Sequence, residues 1–342
     1  MNNNPLVSVC IPTFNNARYI GKMLESVINQ SYKNIEIIVC DNASTDNTKD
    51  VVSTFIDPCL SYYRNSNHLL TAEENYNEST KYANGDFIAI YHSDDVYDKD
   101  IVLRENEKLV ENTELGAVFA YADKIDINGE YIDSWYVSAR FRRGGEFDFY
   151  RIFRSLLIDG ATPLFCPSFM ARKEVLTAVG FFNPQEFGTS SDTELYLRIL
   201  EKFPVAIIPG KMVHYRITNS QVSSKYNYLR TDQADFIKVA RKFIRSPSLT
   251  SKQSAELADE LTFQIEIDNI HRAVSYYITN RDQPALELLN NTLNFKFLLS
   301  TFRKVRNIKY FLLAISILIG MRLKIKRIKK IVESVYNKRW KS

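Results

Sequence analysis

The sequence predicts an α/β fold in which a doubly wound sheet is followed by a helical region. Three short apolar runs rich in β-branched residues, Val7–Ile11, Ile35–Cys40 and Asp86–Tyr91, are typical of buried strands. Between them, apolar residues recur at the spacing of a helix that buries one face. This alternation predicts helical crossovers between parallel strands. From Tyr226 onward the pattern is mostly helical.

Each element of the first hundred residues has a local signal. Apolar side chains at helical spacing predict the first helix over 20–28. The polar cluster 41–46 predicts a turn in which Thr45 or Asp46 caps a helix over 48–55. A weak strand over 60–63 and a helix over 71–83 follow.

The later elements are predicted in the same way. Asn84–Gly85 is expected to close the preceding helix as a left-handed cap. Asn128–Gly129 is typical of a hairpin turn. Periodicity predicts helices over 101–112, 149–158 and 172–179, and a strand over 116–121.

Charge is distributed unevenly along the 342 residues. Residues 302–342 contain thirteen Lys and Arg against one acid, Glu333, so this segment carries +12. Because the whole chain carries +4, the remaining residues carry −8. An acidic body with a basic tail predicts a negatively charged surface as the partner of the tail.

Cysteine usage and the N-terminus favour a reducing compartment. The four cysteines form no CxxC pair, so neither a disulfide framework nor a zinc site is indicated. The first residues lack a basic segment followed by an apolar one, and we therefore expect no signal peptide.

Polar clusters follow three of the predicted strands, at Pro12–Asn15, 41–46 and Ser93–Asp95. Ligands of open α/β sheets bind at the carboxyl ends of strands. None of the clusters is a GxGxxG or P-loop motif, which argues against a dinucleotide or P-loop site. The adjacent carboxylates Asp94 and Asp95 suit Mg²⁺ or Mn²⁺ bridging phosphate oxygens. The simpler alternative is an acidic turn that only caps a helix.

Four segments together resemble the family 2 glycosyltransferases of the GT-A fold. They are VSVCIPTFN (7–15), QSY (30–32), IEIIVCDNASTDNT (35–48) and NGDFIAIYHSDD (84–95). The resemblance extends over roughly residues 5–220. It implies a mixed GT-A sheet in a catalytic domain over 1–222, with a donor-binding half (5–100) and an acceptor half (101–222). A helical region over 223–342 would follow.

The resemblance also implies roles for individual residues. Asp41 would hydrogen-bond the base, uracil or thymine, Asp94 would contact the ribose and Asp95 would bind the metal. Segment 213–224 resembles the loop that closes over the donor, from which Arg216 would steady the diphosphate. The residues expected to line the nucleotide pocket are Pro12, Thr13 and Asn15.

Two positions depart from the family pattern. Glu74 stands where a common version of the family has an arginine, so a diphosphate contact from this segment is in doubt. Arg64 would be a weak substitute. Thr218 occupies the place of a frequent histidine.

Asp192 is the candidate catalytic base. The segment 165–183 and the following GTSSDTELYLR (188–198) resemble the acceptor side of the family, in which an aspartate at a helix start deprotonates the acceptor hydroxyl. Single displacement would invert the anomeric configuration. The alternative is that Ser190, Ser191 and Asp192 only cap the helix. Glu194 faces elsewhere on a helix and is the less favoured base.

The basic tail predicts binding to a membrane surface. Residues 311–321 carry no charge but are too few to span a bilayer. An apolar stripe follows on a basic helix, at Met321, Ile325, Ile328, Val332 and Val335. We expect this tail, 302–342, to lie in the interface of an anionic membrane. The alternative is that the apolar run packs on the body. No nucleic acid is expected as a partner, because the body is acidic and the aromatic residues of the tail are not interleaved as stacking platforms.

These observations predict an inverting, metal-dependent transferase of a hexosyl or related sugar. The donor would be a nucleotide sugar, with UDP or dTDP favoured, and the acceptor a saccharide or lipid-linked saccharide of surface polysaccharide assembly. The enzyme would be cytoplasmic and peripheral on the inner face of the membrane. A metal-dependent nucleotidyltransferase and a non-catalytic nucleotide-sugar-binding module remain as alternatives.

Overall fold

A computed structural model describes residues 4–69, 71–218, 229–293, 297 and 308–341. Within these residues the strands are β1 (Val7–Thr13), β2 (Ile35–Asp41), β3 (Leu60–Arg64), β4 (Phe87–Ile90), β5 (Val96–Tyr97), β6 (Ala117–Ile125), β7 (Tyr131–Ser134), β8 (Gly145–Phe147), β9 (Phe169–Arg172) and β10 (Val205–Arg216). The helices are α1 (Ile20–Ile28), α2 (Thr48–Ser53), α3 (Ala72–Thr80), α4 (Ile101–Glu111), α5 (Phe149–Asp159), α6 (Lys173–Val179), α7 (Pro184–Phe187), α8 (Ser191–Leu200), α9 (Asp235–Phe243), α10 (Ser251–Ile278), α11 (Asp282–Thr292), α12 (Ile308–Arg322) and α13 (Lys326–Lys341).

The strands form one mixed sheet in the order β3-β2-β1-β4-β9-β6-β10-β5. β7 pairs with β6 and β8 pairs with β10 beside this path. β1 to β4 run parallel, and β9 lies antiparallel between β4 and β6. The sheet and the helices that follow it confirm the predicted mixed α/β class.

The register of the parallel strands gathers the predicted polar clusters at one edge of the sheet. Thr13 lies opposite Asp41 on β2, and Asp41 lies opposite Arg64 on β3. On the other side of β1, Cys10 pairs with Ile90, the last residue of β4. β1 is buried along its whole length, as expected for a central strand of a parallel sheet covered on both faces. The loops after β1, β2 and β4 are therefore neighbours.

Gly85 differs from its predicted conformation and has a different physical role. Helix α3 ends at a right-handed Lys81 cap, and Gly85 is not among the positive-φ residues. A Cβ at Gly85 would lie 2.6 Å from the Leu6 carbonyl oxygen and 2.7 Å from the Ser8 nitrogen. Because no side chain fits there, the glycine permits close approach of the chain to β1.

The described residues divide into two compact units. The first runs to Thr218 and includes Ser246–Ser248, and the second comprises the rest of the chain after 218. The predicted boundary at 222 lies outside the described residues. The core of the first unit packs α1 and α4 against the sheet, with Leu24, Val39 and Ile101 fully buried.

The second unit has a helical core of its own. Phe263, Ile270 and Tyr277 of α10 pack with Leu289 of α11 and Ile317 of α12. Among the described helices, none combines the length and the apolar character that crossing a membrane requires.

The predicted apolar stripe of the tail is split between two environments. Met321 and Val332 are buried in the helical core and Ile328 packs against it, whereas Ile325 is exposed and Val335 is 64% exposed. The prediction of a single face was wrong, because α12 and α13 are separate helices that each bury one side. Residues 302–307 and 342 of the predicted tail lie outside the described residues.

Candidate active site

Asn15 joins the loop after β1 to the loop after β2. Its φ of 49° is left-handed, a conformation that asparagine tolerates better than most residues. Its Oδ1 accepts hydrogen bonds from the backbone nitrogens of Thr45 (2.7 Å) and Asp46 (3.3 Å), and its own nitrogen donates to Ser44 Oγ at 2.8 Å. The predicted nucleotide-lining residue therefore fixes the shape of both loops.

Asp41 is fully buried at the end of β2, and both of its oxygens are used within the protein. Oδ1 accepts from the Ser44 nitrogen at 2.8 Å, and Oδ2 accepts from the Tyr62 hydroxyl and from Arg64 Nη1 at 3.3 Å. Burial, followed by the hydrogen bond to Asp41, raises the pKa of Tyr62 to about 12. Arg64 also donates to the Ser44 carbonyl at 2.7 Å. Recognition of a base by Asp41 stays a prediction.

Glu74, which replaces the expected arginine, caps helix α3. Its carboxylate accepts from the Thr71 nitrogen at 3.0 Å, while Thr71 Oγ1 accepts from the Glu74 nitrogen at 3.1 Å. This reciprocal pair is a capping box. Glu74 therefore stabilises the N-terminus of α3.

Asn75, the next residue, links three segments beneath the loops. Its Nδ2 donates to the carbonyls of Cys40 (3.0 Å) and Thr13 (3.5 Å), and its Oδ1 accepts from Asn65 Nδ2 at 3.1 Å. The side chain is buried.

Two of the predicted nucleotide-lining residues, Pro12 and Thr13, are buried in β1 beside this network. Thr13 Oγ1 has no hydrogen-bond partner among the described residues.

Arg216, at the end of β10, holds the loop that carries Asp94 and Asp95. Its backbone nitrogen donates to Asp95 Oδ1 at 2.8 Å, and its Nε donates to the Asp94 carbonyl at 2.8 Å. Nη1 donates to the Asp126 carbonyl at 2.9 Å, and the guanidinium lies 4.8 Å from the centroid of the Tyr19 ring. Arg216 is buried and orders the acidic loop. Its contact with a diphosphate stays a prediction, and residues 219–224 of the predicted closing loop lie outside the described residues.

The acidic loop has the donor set of a divalent cation site. His92, Asp94 and Asp95 each offer a ligand atom, and these atoms lie within 4.8 Å of one another. Asp95 Oδ2 is buried and accepts no hydrogen bond from the described residues. Burial raises the pKa of Asp94, and burial together with Asp94 raises the pKa of Asp95 well above its ordinary value. Two desolvated carboxylates side by side are stabilised by a cation, so these residues fit Mg²⁺ or Mn²⁺.

His92 was not recognised from the sequence, although it directly precedes the acidic cluster. Burial lowers its pKa to about 4, which keeps the imidazole neutral and able to act as a metal ligand. Its Nε2 lies 3.2 Å from the hydroxyl of Tyr76 on α3. This contact connects the acidic loop to the helix that carries Glu73.

Asp192 lies in the first turn of α8, where the Thr193 nitrogen donates to its Oδ1. Burial raises its pKa, as is expected of a base tuned toward neutral pH. The neighbouring Ser191 Oγ is buried and has no partner among the described residues. The helix-capping alternative stays open, because the hydrogen bond from the Thr193 nitrogen satisfies a free N–H of the first turn, although the N-cap residue Ser190 makes no side-chain cap hydrogen bond.

Glu194 is committed to a structural ion pair. Both of its carboxylate oxygens accept from Arg198 Nε, at 2.8 and 2.9 Å. The same guanidinium donates to the carbonyls of Val179 and Phe181, which fixes the approach to α7. This arrangement favours Asp192 over Glu194 as the base.

Cys166 is close enough to both acidic groups for their charges to act on its thiol. Its pKa is raised well above the ordinary value, first by burial and then by the charges of Asp192, Glu73 and Asp95. Glu73 on α3 belongs to the same cluster, because burial and the charge of Asp192 raise its pKa to about 7. Neither residue was singled out from the sequence. The local signal was weak, since Glu73 adjoins the capping Glu74 and Cys166 lies within an apolar segment.

Two cavities lie in the first unit. One of about 690 Å³ adjoins the acidic loop through Arg216 and is also lined by Tyr19, Asn128 and His214. The other, of about 700 Å³, is lined by Asn84, Gly85 and Asp86 at the start of β4. Because that cavity lies at the opposite end of the strand from Asp94 and Asp95, it is not the predicted site.

Comparison with known proteins identifies the relatives of this chain. The family described as Glycosyl transferase family 2 matches residues 8–180. Abequosyltransferase RfbV of Salmonella typhimurium is 38% identical over 101 residues, which cover 28% of this chain and 30% of that protein. The Escherichia coli UDP-Glc:alpha-D-GlcNAc-diphosphoundecaprenol beta-1,3-glucosyltransferase WfgD is 26% identical over 221 residues, 64% of this chain and 80% of that protein. For three of the most similar curated relatives, the match spans 30 to 31% of their length.

A solved structure shares the architecture. The mannosyltransferase PcManGT from Pyrobaculum calidifontis, in complex with GDP-Man and Mn²⁺, superposes with a TM-score of 0.55 at 20% identity. The superposition covers 93% of this chain and 88% of PcManGT. This likeness, together with the order and directions of the strands, confirms the predicted GT-A fold class.

Proposed function

The chain belongs to Glycosyl transferase family 2, and on that premise we propose that it transfers a sugar from a nucleotide diphosphate donor to a hydroxyl group with inversion. The observation that carries the proposal is the buried Oδ2 of Asp95, which has no partner among the described residues and lies beside Asp94 and His92. A divalent cation held there would neutralise the charge of the leaving diphosphate. The loops after β1 and β2, ordered by Asn15 and Asp41, would bind the nucleotide beside this cation.

Asp192 supplies the base. Its carboxylate accepts the proton of the acceptor hydroxyl while that oxygen forms a bond to the anomeric carbon of the donor. The bond between the anomeric carbon and the diphosphate oxygen breaks in the same displacement, so the configuration inverts. The position of Asp192 in the first turn of α8, where burial raises the pKa of its carboxyl group, supports this role.

The substrates are proposed from the relatives. WfgD is named for a UDP-sugar donor and a diphosphoundecaprenol-linked acceptor. We propose a UDP- or dTDP-sugar as donor and a saccharide or lipid-linked saccharide of surface polysaccharide assembly as acceptor. PcManGT was solved with GDP-Man, so the fold alone does not fix the base.

Metal-dependent donor binding is the first test. We expect one or more members of a panel of nucleotide sugars to raise the melting temperature in the presence of MnCl₂, because a ligand that binds only the folded form stabilises it. Asp95→Asn keeps the acceptor for the Arg216 nitrogen but removes the charge, and it should abolish this stabilisation. Asp86→Asn, at the opposite end of β4, is the matched control and should retain it. Stabilisation that is equal with and without metal would contradict the proposal.

The two alternatives are separated by product analysis. A nucleotidyltransferase would transfer a nucleoside monophosphate group and release pyrophosphate from a nucleoside triphosphate or a sugar 1-phosphate from a nucleotide sugar, whereas a sugar transferase releases the nucleoside diphosphate. A non-catalytic binding module would be stabilised by the nucleotide sugar and release nothing. Chromatography of the nucleotide products distinguishes all three.

We also propose that α12 and α13 bind the anionic inner face of a membrane. Large apolar side chains are exposed on these helices and their connection, at Leu312, Ile319, Leu323, Ile331 and Val335. Exposed basic side chains lie among them, at Lys309, Arg322, Lys324, Lys326, Arg327 and Lys330. Apolar side chains that enter the interface and cations that meet anionic headgroups are the two requirements of peripheral binding.

Vesicle sedimentation tests this surface. The protein should bind phosphatidylglycerol vesicles better than phosphatidylcholine vesicles, and binding should weaken as salt is added. The double variant Leu323→Glu, Ile331→Glu should remain in the supernatant. Ile56→Glu, at an apolar residue 99% exposed on the first unit, should bind as the parent does. Equal binding by all three proteins would refute this surface.

A further inference from the structure

Three aromatic rings form a mutually supported cluster at the edge of the sheet that carries the site. The ring centroids of Trp135 and Phe165 are 5.0 Å apart, and those of Trp135 and Tyr215 are 5.4 Å apart. Phe165 and Tyr215 complete the triangle at 5.3 Å. Interplanar angles of 78° and 81° at Tyr215 are the edge-to-face geometry that aromatic pairs favour. The cluster is therefore rigid.

Each supporting ring adjoins one half of the reaction site. Phe165 precedes Cys166, the residue coupled electrostatically to both Asp192 and Asp95. Tyr215 precedes Arg216, whose nitrogen donates to Asp95. The cluster thus contacts the segment on the base side and the strand that holds the metal-side loop.

Trp135 is the member of the cluster that is open to solvent. Its backbone nitrogen donates to the Ala122 carbonyl at 3.1 Å, which fixes the residue against β6. Its side chain is 38% exposed, whereas Phe165 is buried. The indole is packed against Phe165 and Tyr215, the Lys124 ammonium lies over its ring, and the rest of the side chain faces water. Ligand sites are lined mainly by apolar and aromatic side chains, so a partly open indole held by two aromatic rings suits a ligand contact.

We infer that Trp135 is a stacking surface for a pyranose ring of the acceptor saccharide, an inference that rests on the proposed transferase function. A pyranose has an apolar C–H face and a rim of hydroxyl groups. The indole offers a flat apolar surface of matching kind, and the Lys124 ammonium lies 5.3 Å from the indole centroid. A saccharide that packs on the exposed part of the indole meets this cation, which can donate hydrogen bonds to the sugar hydroxyl groups.

The same charge argues against an acyl chain as the occupant. A lipid tail packed on the indole would remove water from the Lys124 ammonium without offering it an acceptor, which is unfavourable. A saccharide supplies oxygen acceptors at that position. The position of Trp135 between the base side and the metal side also suits the sugar that is to be glycosylated.

Fluorescence measures this contact directly. The chain contains two tryptophans, Trp135 and Trp340, so Trp340→Phe leaves Trp135 as the sole tryptophan. The probes are the methyl pyranosides of glucose, galactose, mannose and N-acetylglucosamine, with sorbitol as a hydroxylated control that lacks a ring face. We expect at least one pyranoside to give a saturable change in Trp135 emission, and sorbitol to give none. Emission that responds to none of the pyranosides overturns the inference.

Substitution separates stacking from packing. Trp135→Leu retains apolar volume against Phe165 and Tyr215 but lacks a flat ring, and it should weaken binding of the responsive pyranoside about tenfold or more by saturation-transfer NMR. Trp135→Phe should stay within about threefold of the parent, because it keeps an aromatic face. Ile132→Ala, an exposed apolar residue of the same hairpin, should bind as the parent does. Equal binding by Trp135→Leu and the parent also overturns the inference.

Donor binding distinguishes failure of this contact from failure of the proposed function. Trp135→Leu should keep the parent's thermal stabilisation by a nucleotide sugar with MnCl₂, which also shows that the variant is folded. If no nucleotide sugar stabilises the parent either, the donor proposal fails while the pyranoside measurement still decides the role of Trp135.

Discussion

The nucleotide-side loops and the acidic cluster lie at the same edge of the sheet but use their polar atoms differently. On the nucleotide side, Asn15, Asp41 and Asn75 direct their side-chain hydrogen bonds to neighbouring segments of the chain, although Thr13 Oγ1 has no partner among the described residues. In the acidic cluster, Asp95 Oδ2 and Ser191 Oγ are buried without partners among the described residues. Satisfied groups hold a shape, whereas buried unsatisfied groups are costly unless a ligand completes them.

This difference predicts which substitutions lower stability and which lower activity. Changes in the nucleotide-side loops should lower the stability of the protein, since they remove bonds that exist in the folded chain. Changes in the acidic cluster should reduce activity with little loss of stability, because under the proposed function the missing partners are the metal and the substrates. Enzymes commonly combine stable loops with a reaction centre that is less favourable for stability.

The largest expected effect belongs to Asp192. Asp192→Asn should lower kcat by about a hundredfold to ten-thousandfold, the range associated with general-base catalysis. Thermal stabilisation by the donor should be unchanged, because the residue acts on the acceptor. Steady-state kinetics with a donor identified by the nucleotide-sugar panel gives the measurement.

Glu194→Gln is the matched control for Asp192. It breaks the buried pair with Arg198 and should reduce the free energy of unfolding by about 3 to 5 kcal/mol, while the folded fraction keeps its kcat. A full transfer rate in Asp192→Asn would remove this residue from the mechanism.

Asn75 provides the opposite case. Asn75→Ala leaves the Cys40 and Thr13 carbonyls without their buried donor and should lower the free energy of unfolding by about 2 to 4 kcal/mol. Urea unfolding measures the change. The exposed Asn29 bonds to Glu25 within its own helix, so Asn29→Ala should cost less than about 0.5 kcal/mol. Equal effects of the two substitutions would break the proposed contrast.

The sequence predicted the nucleotide side far better than the acceptor side, and the reason is geometric. The clusters after β1, β2 and β4 are contiguous in the chain, and parallel pairing must bring consecutive strand ends together, as it does for Thr13 and Asp41. Glu73 and Trp135 have no such signal. Glu73 lies near Asp192 because α3 packs beside a segment 105 residues away, where Asn77 Nδ2 donates to the Phe182 carbonyl. Trp135 meets Phe165 and Tyr215 because the hairpin of β6 and β7 packs beside these distant segments.

The tail illustrates a second limit of sequence patterns. Apolar spacing predicted one face through Met321, Val332 and Val335, but periodicity does not record where one helix ends and the next begins. The break after Arg322 turns part of the stripe into core and leaves part exposed. Glu74 shows the same limit of patterns. The family pattern indicated only that an arginine contact is missing at this position, whereas the spacing from Thr71 to Glu74 already predicts a capping box.

Glu73 should make the stability of the acidic cluster depend on pH. Burial and the charge of Asp192 raise its folded pKa to about 7 from an ordinary value of 4.5, and Glu74 adds to the shift. The folded state therefore binds more protons than the unfolded state between these values, and stability falls as pH rises through that window. Glu73→Gln should remove this dependence, with a relative gain of about 1 to 3 kcal/mol at pH 8.

Urea unfolding at pH 5 and at pH 8 provides the measurement for Glu73. The parent should lose more stability than the variant between the two values. Glu78→Gln, on the same helix but paired with Lys81 at the surface, serves as the control and should follow the parent. A parent and a Glu73→Gln variant that respond identically to pH would remove Glu73 from the cluster.

The smallest change in stability is expected at Glu74, and its substitution tests whether α3 takes part in donor binding. If Glu74 only caps α3, Glu74→Ala should lower the free energy of unfolding by about 0.5 to 1 kcal/mol, because half of the capping box is lost. The affinity for the donor should not change. Glu74→Arg, which restores the side chain common in the family, should cost about as much, because its cation adjoins a helix N-terminus. The donor affinity of Glu74→Arg shows whether the diphosphate binds near α3. An unchanged affinity means that the diphosphate lies out of reach of α3, and a gain of tenfold or more means that it lies within reach.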